Sequence, residues 1–150
     1  MADCINLNEK GNVALLRLMN LPVFSNVDEL SSMIHVDSRL VESINANPRR
    51  FYKRYKIPKS NGEQREIRQP NRMLKGIQAW ILRNILDNLS PSIFATAYIK
   101  GKNTVSNVIP HSNNRYFLCL DMEDFFPSIS IRRVKKVFSL IGYSDKASLI

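Results

Sequence analysis

Apolar residues recur at helical spacing over residues 13–19 and 27–34, with Asn12 and either Ser25 or Asn26 placed to cap them and Leu21-Pro22 as the break between them. A third helix is predicted over 37–46, with Leu40, Val41 and Ile44 inward and Asn47-Pro48 ending it. The pattern then changes to strand-like segments at 51–58 and 64–69, joined through "KSNGE", where Asn61-Gly62 offers the positive backbone torsions of a tight hairpin. After Pro70, Asn71 can cap a long helix in which Leu74, Ile77, Ile81, Leu82, Ile85, Leu86 and Leu89 form one broad stripe before Ser90-Pro91. Trp80, on that helix, is read as packing. Further on, residues 115–122, "RYFLCLDM", read as a buried strand, "EDFFPS" as a turn and 131–141 as a basic amphipathic helix. Ser144 is placed to cap one more helix, which the end of the chain at Ile150 would cut short. No internal repeat or low-complexity linker interrupts this order.

Helices and strands therefore mix as in an α+β unit. At 150 residues with 44% apolar composition the chain can bury a core of its own. Charge adds what periodicity does not. Residues 1–48 carry 3 basic and 6 acidic groups, residues 49–83 carry 11 and 2, and residues 84–150 carry 8 and 5. Nearly all of the net +9 thus belongs to the hairpin segment and the helix after it. In "RRFYKRYK", cations alternate with rings: Arg49, Arg50, Lys53 and Arg54 suit phosphates, and bases stack on aromatic faces. A solubilising face would have the same composition, so charge alone leaves both readings open.

Cys4 and Cys119 lie far apart without ligand-type neighbours, which suggests neither a disulfide framework nor a zinc site. No apolar run approaches a membrane span, and "MADCINLNEKGN" lacks the basic start and apolar core of an export signal. A cytoplasmic location without membrane insertion is the expectation.

Candidate chemistry centres on Asp121, Glu123 and Asp124, at the end of the predicted strand. Hard cations such as magnesium prefer carboxylate oxygens and complete their shells with water and substrate phosphates. An aspartate at a strand end also serves as a turn former or helix cap, so position alone does not decide.

"FLCLDMEDFFPSI" resembles motif A of reverse transcriptases, and its "DxEDFFPS" core is similar to the form found in bacterial retron enzymes. "YKIPKSNGEQREIRQP" is similar to the fingers hairpin of that family, and "LKGIQAWILRNIL" resembles the helix that follows it in retron and group II intron enzymes. "SNVIPH" resembles the retron-specific pattern Asn-Ala-x-x-His, with Val108 in place of Ala, while "ATAYIKG" departs from the family's usual Gly-Phe pair. The agreement runs in consistent order over approximately residues 12–150.

The resemblance implies a partial right-hand polymerase: an amino-terminal helical extension over 1–48, fingers and connecting region over 49–114, and the start of the palm over 115–150. It implies that Asp121 is catalytic and binds Mg2+, assisted by the Met122 carbonyl. Lys59 and Arg65 would clasp the incoming deoxynucleoside triphosphate, backbone amides around Asp124 and Phe125 would face it, and Phe126 would act as the steric gate against ribonucleotides. Gln78 would either touch the template or serve packing, and Asn107 and His111 would contact the cognate RNA. A structured noncoding RNA would be template and primer, single-stranded DNA the product, antiphage defence the role, and an effector protein or a second copy the further partner.

The family's Tyr-x-Asp-Asp segment does not occur here, so two-metal catalysis by this chain alone is not expected. Two other readings stand beside this one: a noncatalytic module that binds RNA or other polymerase chains, and a group II intron-like reverse transcriptase. "SNVIPH" argues against the latter.

Overall fold

The computed structural model describes residues 11–150. The sequence features of residues 1–10, Cys4 among them, lie outside the described residues. The described chain is mixed α and β, as expected. Three short helices come first, α1 (Val13–Leu18), α2 (Val27–Ile34) and α3 (Ser38–Ala46), followed by the strands β1 (Tyr52–Pro58) and β2 (Gln64–Pro70) and by helix α4 (Arg72–Asn84). Two short helices, α5 (Thr104–Val108) and α6 (Phe125–Ser128), precede α7 (Ile131–Leu140). No helix among the described residues is long and apolar enough to cross a membrane.

Local hydrogen bonding explains where the helices start. Asn12, Asn26 and Asn71 each accept, through Oδ1, an N–H donated three residues ahead, at 2.9–3.0 Å, and each such cap contributes roughly 1 kcal/mol. Asn26, not Ser25, is the cap of α2; Ser25 instead donates its N–H to Glu29, 2.7 Å away, closing a reciprocal capping arrangement. Helix α4 ends earlier than its apolar stripe. Residues 86–88 form a 3-10 turn, and Leu82 and Leu86 stay outside the core, 48% and 39% exposed.

The hydrophobic core gathers Leu16, Leu21, Phe24 and Leu30 from the first helices, Ile85 from the end of α4, and Tyr143 and Ala147 from beyond α7. Leu16 and Ile85 are each 1% exposed, a burial that stabilises by about 1.5–3 kcal/mol per side chain. Trp80 packs against this cluster, as its helix position suggested. The two ends of the described chain meet at a backbone contact: Asn12 donates its N–H to the Gly142 carbonyl over 2.7 Å. A Cβ on Gly11 would lie 2.4 Å from that same carbonyl oxygen, so the approach requires glycine.

Two expectations are corrected. Residues 115–122 do not form a strand: they are irregular and exposed, with Tyr116 at 91% and Leu118 and Leu120 at 83%. A run that is apolar on both faces becomes a strand only between neighbouring strands, and the described sheet contains β1 and β2 alone. The hairpin turn also differs from a tight two-residue one. Lys59 N–H bonds the Glu63 carbonyl at 2.7 Å and Gly62 N–H bonds the Lys59 carbonyl at 3.1 Å. Only Gly62 takes a positive φ, +84°. Asn61 instead accepts the Glu63 N–H through Oδ1 at 3.1 Å, so its side chain braces the loop.

Candidate functional site

The basic segment begins in a 3-10 turn, Pro48–Phe51, that holds Arg49 and Arg50 exposed just ahead of β1. Strand pairing then sorts the hairpin residues. Tyr55 pairs with Ile67, Ile57 with Arg65 and Lys53 with Gln69, placing Lys53, Tyr55, Ile57, Arg65 and Ile67 on one face. Arg54 pairs with Arg68 and Lys56 with Glu66 on the opposite face. Lys53 and Arg54, adjacent in sequence, thus serve different surfaces.

Two like-charged guanidinium groups sit directly opposite at Arg54 and Arg68, a pairing that disfavours the hairpin. Glu66 offsets it, accepting from Arg68 Nε at 2.7 Å. That hydrogen bond first, then the field of Arg68, Arg54 and Lys56, holds the Glu66 carboxyl below its usual range. At the turn, Lys59 Nζ lies 2.8 Å from Glu63 Oε2, and this contact is the main reason that the Glu63 carboxyl is also lowered. Arg65 forms no ion pair among the described residues.

Gln78, exposed on α4, donates from Nε2 to the Tyr52 hydroxyl at 3.0 Å and so ties the helix to the base of the hairpin. Asn107 accepts from Thr96 Oγ1 at 3.2 Å, and His111 follows one turn later, exposed, in a 3-10 turn. Both line a cleft of about 690 Å3 whose other wall is formed by residues 116–120.

Asp121, Met122, Glu123 and Asp124 are all exposed. Asp124 takes a left-handed conformation, φ 50°, immediately before α6. Aspartate tolerates this conformation better than most residues. Phe125 and Phe126 pack edge to face with ring centroids 5.2 Å apart, and Tyr98 meets the Phe126 ring at 6.3 Å. Among the described residues no three His, Cys, Asp or Glu side chains converge as a metal-binding group. No hydrogen bond or ion pair between described residues joins Lys59 or Arg65 to residues 121–126.

Several of these contacts went unread in the sequence. Glu63 was visible as a carboxylate four residues after Lys59, whereas the pairing of Arg54 with Arg68 follows only from the strand register. The contacts of Tyr52 with Gln78 and of Tyr98 with Phe126 span 26 and 28 positions and leave no local signal.

The site thus consists of a basic antiparallel hairpin braced on a helix, with an exposed acid-rich turn farther along the chain. No protein-family model matches the chain. It is 36% identical over 141 residues to the Retron Ec86 reverse transcriptase of Escherichia coli, covering 93% of this chain and 44% of that protein. It is 31% identical over 138 residues to the Retron Se72 reverse transcriptase of Salmonella heidelberg, covering 87% and 36% respectively. With the Retron Mx65 reverse transcriptase of Myxococcus xanthus it shares 29% identity over 134 residues, covering 87% and 31%. The chain belongs to the retron-type reverse transcriptases and spans less than half the length of these relatives.

Proposed function

We propose that the intact enzyme containing this chain copies a structured noncoding RNA into single-stranded DNA, and that this chain supplies its fingers and first catalytic aspartate. The observation that carries the reading is the hairpin, in which Lys59, one residue past the end of β1, and Arg65, on β2, flank the turn of a chain that belongs to this family. A point-charge ammonium and a planar guanidinium are complementary donors for phosphate oxygens.

In this reading the 2′ hydroxyl of an RNA nucleotide primes, and its oxygen attacks the α-phosphorus of a deoxynucleoside triphosphate. One P–O bond forms and the bond to the leaving pyrophosphate breaks. Lys59 and Arg65 bind the triphosphate and offset its charge. Phe126, packed on Phe125, excludes a ribose 2′ hydroxyl by volume. Backbone amides near Asp124 and Phe125 orient the phosphates. Arg49, Arg50, Lys53, Arg54 and Gln78 bear on template RNA, and Asn107 with His111 on the cognate fold. Carboxylate and carbonyl oxygens at Asp121 and Met122 are the hard donors that Mg2+ selects. When bound, Mg2+ would assist deprotonation of the attacking hydroxyl and stabilise the departing pyrophosphate. The expected setting is cytoplasmic antiphage defence.

Asp121→Asn in the intact enzyme tests the proposal. Deoxynucleotide incorporation falls to background while cognate RNA binding is retained; loss of RNA binding instead would make Asp121 a structural residue. The 150-residue chain alone gives no primer extension with magnesium, and robust incorporation would overturn its assignment as one part of a catalytic site.

The alternative reading is a noncatalytic RNA-binding or interaction module; among the described residues no three His, Cys, Asp or Glu side chains form a metal-binding group. On that reading Asp121→Asn leaves every measured activity of the intact protein unchanged.

A further inference from the structure

Lys59, the residue proposed to grip the triphosphate, is already engaged by an anion of its own chain. Its ammonium lies 2.8 Å from Glu63 Oε2. The pairing is built into the loop. The Lys59 N–H to Glu63 carbonyl bond, 2.7 Å, sets the two backbones side by side, so their side chains leave from adjacent points. Asn61 Oδ1 accepts the Glu63 N–H at 3.1 Å and braces the carboxylate-bearing residue. Gly62, at φ +84°, gives the chain the turn that this juxtaposition needs.

We infer that Glu63 is a displaceable counter-anion which occupies Lys59 until a triphosphate replaces it, and so sets how much negative charge a ligand must carry to enter the hairpin. The inference rests on the reading of Lys59 and Arg65 as a triphosphate clasp. Both partners are largely exposed, with side chains 46% and 64% accessible. Solvent-screened ion pairs of this kind are weak and exchange readily. A triphosphate offers several charged oxygens to Lys59 and, at the same time, to Arg65, which has no carboxylate partner among the described residues. It therefore outcompetes a single carboxylate, whereas a monophosphate gains little. Once displaced, the Glu63 carboxylate remains near the phosphates and repels them.

The test is titration of the 150-residue chain at low ionic strength with deoxythymidine triphosphate and with deoxythymidine monophosphate, followed by calorimetry or by the lysine side-chain NMR signal. Glu63→Gln preserves shape and removes the charge. It is expected to tighten triphosphate binding about threefold, the size of effect an exposed ion pair allows. Monophosphate binding changes less. Lys59→Gln weakens triphosphate binding, and the double variant behaves as Lys59→Gln alone, because Glu63 acts through Lys59. Unchanged or weaker triphosphate binding in Glu63→Gln, with Lys59→Gln still impaired, overturns the counter-anion role and leaves the clasp intact. If neither Lys59→Gln nor Arg65→Gln alters binding, the clasp itself is refuted and the inference with it.

Discussion

The Tyr143 hydroxyl donates to the Pro22 carbonyl over 2.8 Å, joining residues 121 positions apart. The Tyr143 ring also packs against Phe24, at 4.9 Å, and Phe138, at 5.9 Å, so one side chain fastens the segment after α7 to the amino-terminal helices. Tyr143→Phe keeps the ring and leaves the carbonyl short of a partner. A loss of about 1–2 kcal/mol is expected in urea unfolding, as for other partly buried hydrogen bonds. Burial pushes the Tyr143 phenol up from its ordinary value of 10.0. The neutral form is therefore favoured by folding, and its contribution is complete below pH 10 and declines as pH rises further. Wild-type stability should fall in strong alkali, and this part of the fall should be missing in Tyr143→Phe.

Glu29 offers a test at the acid end. Hydrogen bonds from the Ser25 N–H first, then the Ser25 hydroxyl and the Asn26 amide, hold its carboxyl below the usual 4.5. A lowered folded-state value means that the contribution is present above pH 4.5 and is lost as pH falls through the folded value. Glu29→Gln should accordingly destabilise the chain at pH 7, with the gap to wild type closing in acid. Thermal unfolding at several pH values measures it.

Arg54 and Arg68 give opposite signs in two assays. Replacing Arg54 with Gln removes a like-charge cross-strand pair and should raise stability by a few tenths of a kcal/mol. If that face meets RNA phosphates, the same change weakens RNA binding and lowers its salt slope by about 1. Equal salt slopes for wild type and variant would remove Arg54 from the RNA surface.

Phe126 is 66% exposed, so Phe126→Ala should change stability by no more than about 0.5 kcal/mol. In the intact enzyme it should raise ribonucleotide incorporation relative to deoxynucleotide incorporation. Competition between the two substrates in a primer-extension assay reads this ratio, and an unchanged ratio removes Phe126 as the gate.

Local rules made much of this fold legible. Asn12, Asn26 and Asn71 announce helix starts because the cap bond reaches only three residues. The apolar stripe on α4 and the amphipathic pattern of α7 likewise depend on near neighbours. The conformation of residues 115–122 was not legible, because a continuous apolar run records a preference to be covered without saying whether covering strands are present. Nor was the turn type: Asn-Gly permits two positive torsions, but the Lys59–Glu63 backbone bond selects a longer loop with one. Of the candidate site, the residue types and their order were readable. Their division between two hairpin faces required the register, and the engagement of Lys59 by Glu63 required the loop.

The Asn12–Gly142 and Tyr143–Pro22 bonds have a consequence for biosynthesis. The first helices hold the core's earliest members, Leu16, Leu21 and Phe24, and the same buried cluster takes in Tyr143 and Ala147. Closing so long a loop costs entropy that only the finished contacts return. On the ribosome the amino-terminal helices must therefore wait, half-packed, for more than a hundred residues to emerge, and the basic hairpin leaves the exit tunnel before this core is complete.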